Sequence, residues 1–94
     1  MSRIKEYEIG TAVKITTVLS LPNPTSVSIT IKDSSNQTMA NAQAMTPDTT
    51  EVYSYIYQSN TTDNDGEYLV IIDAVFGGYT SRAVTKFTLV DNDL

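Results

Sequence analysis

Cysteine, histidine and tryptophan are all absent from this 94-residue chain, and each absence closes off a class of chemistry. Without Cys there is no disulfide framework, no thiolate nucleophile and no Cys-ligated zinc or iron–sulfur centre. Without His, the side chain most used as a general base near neutral pH and as a zinc ligand is missing. Carboxylate, Lys or Tyr chemistry remains, and the expectation is a protein that is not an enzyme and holds no cofactor. Basic residues are few: six Lys and Arg against eleven Asp and Glu give a net charge of −5. No basic cluster interrupts that excess, so no nucleic-acid partner is expected, because phosphate binding needs cations to replace counterions. Long apolar runs are missing as well. The longest, Leu69 to Ile72, is four residues, where a membrane helix needs about 20. The opening stretch MSRIKEYEIG lacks the apolar segment of a secretory signal. The expectation is a soluble chain with no membrane partner, resident in the cytoplasm, assembled into a virus particle, or excised from a longer exported protein. Met1 favours a complete short chain, read as a single domain over residues 1–94.

What the chain has in abundance is Val, Ile and Thr, thirty residues against fourteen Leu, Ala and Met. Side chains stiff at Cβ suit a pleated surface, so the composition is all-β. The alternation agrees. TAVKITTVLSL sets Val13, Ile15, Thr17, Leu19 and Leu21 on one face, and TSVSITIKD sets Val27, Ile29 and Ile31 on one face. Pro22-Asn23-Pro24 between them reads as a turn, since Pro cannot donate to a ladder. DSSN at 33–36 is a second turn, and QTMANAQAMT after it reads as a short, irregular edge strand. EVYSYIYQS places Tyr53, Tyr55 and Tyr57 together. GEYLVIIDAVF is apolar on both faces, as a strand in the middle of a sheet would be. Gly77 and Gly78 make a hairpin turn into YTSRAVTKFTLVD, where Ala83, Thr85, Phe87 and Leu89 share a face. The final DNDL reads as a frayed acidic tail. About seven short strands punctuated by turns predict an antiparallel two-sheet sandwich rather than a small closed barrel.

One stretch, TTDNDGEYLV at 61–70, resembles ligand chemistry. Set against a calcium-binding EF-hand loop with Gly66 at its sixth position, it puts Ile72 where the bidentate Glu belongs, and starting at Asp63 puts Tyr68 where the Gly belongs. Asp63 and Asp65 remain the residues that would hold a weak calcium ion between loops. The alternative is a turn. Asn64-Asp65-Gly66-Glu67-Tyr68-Leu69-Val70 resembles the entry to strand F of immunoglobulin-like sandwiches, with Tyr68 as corner residue and Val70 where antibodies carry Cys. With GTAVKI, VSITIKD, YSYIY and KFTLV, the layout over residues 9–90 is similar to bacterial, archaeal and viral Ig-like modules that lack a disulfide. The resemblance implies a hydrogen bond from the Tyr68 hydroxyl to backbone a few residues upstream.

Such sandwiches host many jobs, so function follows from surfaces. The leading expectation is a structural or protein-interaction module, for example in a virion or surface assembly, with other protein subunits or further copies of itself as partners. Docking would proceed by surface complementarity or by strand addition at an open edge, residues 37–45 being the edge to watch. The alternative is a carbohydrate-binding module with Tyr53, Tyr55 and Tyr57 as a ring platform and Tyr79 at its rim. A third reading, a carboxylate enzyme, centres on Asp73, the acid in an apolar strand and the one expected to have a raised pKa. Against it stands a cross-strand pairing with Arg82 or Lys86. The sequons at Asn36 and Asn60 matter only in a glycosylating route.

Overall fold

Alternating side chains become strands throughout residues 6–90, the part of the chain that the computed structural model describes; the acidic tail and the first five residues lie outside it. The strands are β1 (Glu6–Glu8), β2 (Ala12–Val18), β3 (Ser26–Lys32), β4 (Thr38–Ala44), β5 (Thr46–Pro47), β6 (Val52–Gln58), β7 (Gly66–Phe76) and β8 (Tyr79–Val90). They form a five-stranded sheet in the order β1-β8-β7-β3-β4 and a three-stranded sheet in the order β2-β6-β5. Among the described strands only β1 and β8 pair in parallel. Two facing sheets make this a sandwich, as the turn spacing predicts, and not a barrel. Among the described residues no helix is long and apolar enough to cross a membrane.

The core is the set of inward positions that the alternation marks. Val13 and Ile15 of β2 and Tyr57 of β6 face Val27, Ile29 and Ile31 of β3, Tyr68, Val70, Ile72 and Ala74 of β7, and Phe87 and Leu89 of β8; all are buried. β7 lies between β8 and β3, which explains its apolar character on both faces. Burial of this kind contributes about 25 cal/mol per Å² of apolar surface and is the main favourable term in folding.

Local chemistry sets the connections. Pro22 and Pro24 end the first long strand, but the segment they punctuate crosses from one sheet to the other instead of making a hairpin. The inner face of β2 therefore stops short: Val18 closes the strand, Leu19 is half-buried, and Leu21 is 53% exposed where the alternation expects it inside. The β7–β8 hairpin pairs Phe76 with Tyr79 across Gly77-Gly78. Gly77 alone takes positive φ, +65°, the pattern of a turn with Gly at its first central position. β4 is an irregular edge strand as expected, with register shifts opposite Ile29 to Lys32 and Ala42 at φ +49°.

Two features were not foreseen. The short β5 adds an edge to the smaller sheet, and β1 seats Tyr7 against Phe87, edge to face at 6.1 Å. Among the described residues, β1 pairs with Thr88 to Val90 of its neighbour. In β8, Phe87 and Leu89 are buried while Ala83 and Thr85, on the same face, are exposed.

The corner at the start of β7 takes the predicted form. Tyr68 is fully buried, its ring stacks on Phe87 at 5.1 Å, and its hydroxyl donates to the carbonyl of Asn64 at 2.7 Å. Gly66 enters the strand at φ +114°, and a Cβ there would come within 3.1 Å of the Ser34 side chain.

Candidate functional site

The tyrosines of β6 turn towards the core. Tyr57 is 7% exposed, with its ring centroid 6.3 Å from those of Tyr68 and Phe87. Its hydroxyl donates to Asp63 Oδ2 at 2.8 Å, and burial together with that carboxylate pushes its pKa well above the ordinary value of 10.0. Tyr53 and Tyr55 are half-buried and packed against the same core. Tyr79 sits on the other sheet at the hairpin tip, 78% exposed. Four rings thus lie in two places, and the three on β6 do not lie open as one flat stripe.

The acidic stretch is laced into its own turns. Asp63 Oδ2 also accepts from the Asn60 amide at 2.9 Å, and the carbonyl of Asp65 accepts from Ser34 Oγ at 2.9 Å. Asp63 therefore serves the turn through its carboxylate and Asp65 through its main chain. Behind them Asp33 is buried, with Oδ1 accepting from the amides of Ser35 and Gln37 and Oδ2 from Asn64 Nδ2 at 3.0 Å. The Gln37 amide foremost holds the Asp33 pKa below its ordinary 3.8, against the opposing push of burial and with help from Asn64 and Ser35. Among the described residues no three His, Cys, Asp or Glu gather as a metal site would need.

Asp73 is the carboxylate that the sequence places in an apolar strand; the raised pKa of the enzyme reading is corrected here, and the cross-strand pairing weighed against it is found, with Arg82. Arg82 opposes it across the β7–β8 ladder and grips both oxygens, Nε to Oδ1 at 2.8 Å and Nη2 to Oδ2 at 3.1 Å. That bidentate contact lowers the Asp73 pKa and outweighs its slight burial. Lys86 pairs with Glu67 instead, at 3.5 Å.

What stands out is the side of the sandwich between β2 and β8. From Tyr79 to Phe87, β8 has β7 on one side and, among the described residues, no strand on the other. Its inner positions there, Ser81, Ala83 and Thr85, pair with the buried Ala74, Ile72 and Val70, yet all three are exposed. A cleft of about 220 Å³ opens at this level, walled by Thr17 and Leu19 of the β2 side, Ile72 and Ala74 below, and Ser81 and Ala83 of β8. Nearer β1 a smaller hollow of about 80 Å³ reaches Val13, Ile15 and Val70, with Lys14 and Lys86 at its mouth. Neither β2 nor β8 carries an acidic residue, and of Lys14, Lys32, Arg82 and Lys86, the basic residues described, all but Lys32 lie on these two strands. Two of these three, Arg82 and Lys86, are ion-paired to Asp73 and Glu67 of β7. The sequence expectations assign no binding role to Ser81, Ala83, Lys14 or Lys86. The signal that marks them is the lack of Asp and Glu over 12–18 and 79–90.

The chain matches no protein-family model and no curated protein sequence. Among solved structures it is similar to the endo-beta-1,4-mannanase from Thermotoga petrophila, at a TM-score of 0.62 and 18% identity. The match covers 96% of this chain and 18% of that one, so the chain spans under a fifth of the mannanase's length. At that identity the likeness is one of architecture, and what it shares with this chain is an all-β sandwich-like fold.

Proposed function

We propose that this protein is a non-catalytic, immunoglobulin-like module that binds other proteins through the open side of its sandwich. The observation that carries this reading is the edge of β8 between Tyr79 and Phe87, which among the described residues pairs with no further strand and along which the inward positions Ser81, Ala83 and Thr85 are exposed. A row of unpaired backbone groups beside exposed core-facing positions is a template for another chain, and natural proteins ordinarily blunt or cover such an edge. Support for the immunoglobulin-like assignment comes from the strand order, a sheet of β2-β6-β5 against one with β8-β7-β3, and from the Tyr68 corner. The partners suited to such a module are other subunits of an assembly.

A carbohydrate-binding reading draws on the tyrosines and on the name of the mannanase to which the chain is similar. The inward turn of Tyr57 and the half-burial of Tyr53 and Tyr55 favour the protein-binding reading over it. The two are separated by cross-linking the full chain in cells of its native source alongside titration with β-1,4-linked manno-oligosaccharides. Protein adducts that disappear in Ala83→Lys but persist in Lys32→Glu are expected. Saturable sugar binding that perturbs Tyr53 and Tyr55, with no protein adduct, would overturn the proposal.

A further inference from the structure

We infer that two copies of this chain associate face to face through the outer surface of the five-stranded sheet, about a two-fold axis along the rung of Thr30, Ile71 and Val84. The surface is separate from the seam between β2 and β8. In β7 the outward residues Leu69, Ile71 and Val75 alternate with the buried Tyr68, Val70, Ile72 and Ala74. These three are half-buried by their neighbours in the sheet but face away from the core cluster. Beside them Val84, the partner of Ile71 in the ladder, is 59% exposed. Among the described residues no layer lies over this apolar patch. Residues 1–5 and 91–94 are too short to supply one, since five extended residues reach about 17 Å and five strands are about 24 Å across.

The ladder sets the charges of this face in a pattern that fits its own copy. Across β3, β7 and β8, one rung is Lys32, Leu69 and Lys86, the next Thr30, Ile71 and Val84, and the third Ser28, Asp73 and Arg82. A two-fold axis along the middle rung lays each flanking rung over the other. Asp73 then sits above Leu69 of the second copy, between its Lys32 and Lys86. The rung beyond Lys86, which is Glu6, Thr88 and Glu67, falls over Thr80 and Val75 of the second copy, beside its Arg82. Every such contact occurs twice, as an isologous interface requires. Asp73 and Glu67 keep their own partners, Arg82 and Lys86, and each end of the interface becomes a cluster of alternating sign. Lys32, which has no ion pair among the described residues, gains a carboxylate. At the centre Ile71 and Val84 meet their own counterparts and leave water.

Other approaches of two copies suit the molecule less well. The outer face of the smaller sheet exposes Val18 and Ile56, but its strands carry Lys14 and no acid, so a second copy there meets no opposite charge. The plane from Glu67 to Val75 across five strands is roughly 600 Å², somewhat below the ~800 Å² a side of a standard interface, which suits a reversible dimer.

The test is sedimentation equilibrium of the full chain over a concentration series, joined to cross-linking of single introduced cysteines, which a cysteine-free chain makes unambiguous. A monomer–dimer equilibrium is expected. Val84→Asp brings two like charges together at the axis and is expected to weaken the dimer at least about tenfold. Glu67→Lys/Lys86→Glu keeps an ion pair within the chain but sets a carboxylate against Asp73 of the second copy and an ammonium against its Arg82. The same loss is expected there. With a short bis-maleimide, Val84→Cys is expected to give covalent homodimers, and Ile56→Cys and Ala83→Cys to give none. Circular dichroism verifies that the variants fold; should Val84→Asp fail to, the reversed pair and the cysteine variants decide. A chain that stays monomeric at millimolar concentration, a dimer indifferent to the reversed pair, or homodimers formed from Ile56→Cys or Ala83→Cys in place of Val84→Cys would each overturn the inference. The protein-binding reading stands or falls separately, by Ala83→Lys, which leaves this face intact. A monomer that still cross-links to other proteins overturns the dimer alone, and a dimer with no other partner overturns that reading alone.

Discussion

The ring of Tyr68 stacks on Phe87 inside the core while its hydroxyl reaches the carbonyl of Asn64. One side chain therefore joins the packing of two neighbouring strands to the closure of the turn that precedes them. Tyr68→Phe keeps the ring and deletes the bond, and it is expected to lower the unfolding free energy by about 0.5–1.5 kcal/mol, the usual net worth of such a hydrogen bond. Chemical denaturation of the two proteins measures it, with an unchanged m-value as the sign that only stability moved. The corner is also the most legible residue-scale feature in the sequence, because the Gly66-Glu67-Tyr68 spacing is local. Asp73 was legible only in part. Its apolar neighbours and a cross-strand pairing with Arg82 or Lys86 are visible in sequence, but the choice of Arg82, which lowers its pKa, is made by the register of the hairpin.

At the scale of elements, the two edges of the five-stranded sheet contrast. β4 breaks its register opposite β3 and holds Ala42 at φ +49°, a conformation that costs a residue with a Cβ about 1 kcal/mol or more. Ala42→Gly relieves that strain but loosens the unfolded chain, and a net gain of about 0.5 kcal/mol is expected, read as a raised denaturation midpoint. β8 has no such irregularity. The alternation in its sequence places Ala83 and Thr85 with Phe87 and Leu89, which is right about the face and silent about burial, because burial depends on how far β1 extends along it. The two glutamates of β1 obscure the strand in a sequence scan, although Tyr7 and Ile9 alternate with them and both pack on the core. Periodicity reports which side of a strand a residue is on; only the assembled sheet decides whether that side is covered.

For the molecule as a whole, alkaline pH tests the shared core of the two sheets. Burial foremost, with nearby carboxylates, raises the pKa of Tyr57 above 10.0 and pushes that of Tyr68 up to about 12. The folded state keeps protons that the unfolded chain releases. Their contribution is therefore fully present below pH 10 and is lost as pH rises through 10 towards the folded values. In a spectrophotometric titration, two of the six tyrosines are expected to ionise only with loss of structure, in step with the far-ultraviolet signal. Smooth titration of all six ahead of unfolding would contradict the packing described for Tyr57 and Tyr68. A final consequence follows from the parallel pairing of Glu6, Tyr7 and Glu8 with Thr88, Leu89 and Val90. Tension drawing Glu6 and Val90 apart pulls these two strands in opposite directions along their common axis, so their hydrogen bonds are loaded together in shear instead of being peeled one at a time. Under a stretching load, the shortest strand but one in the molecule becomes its mechanical latch.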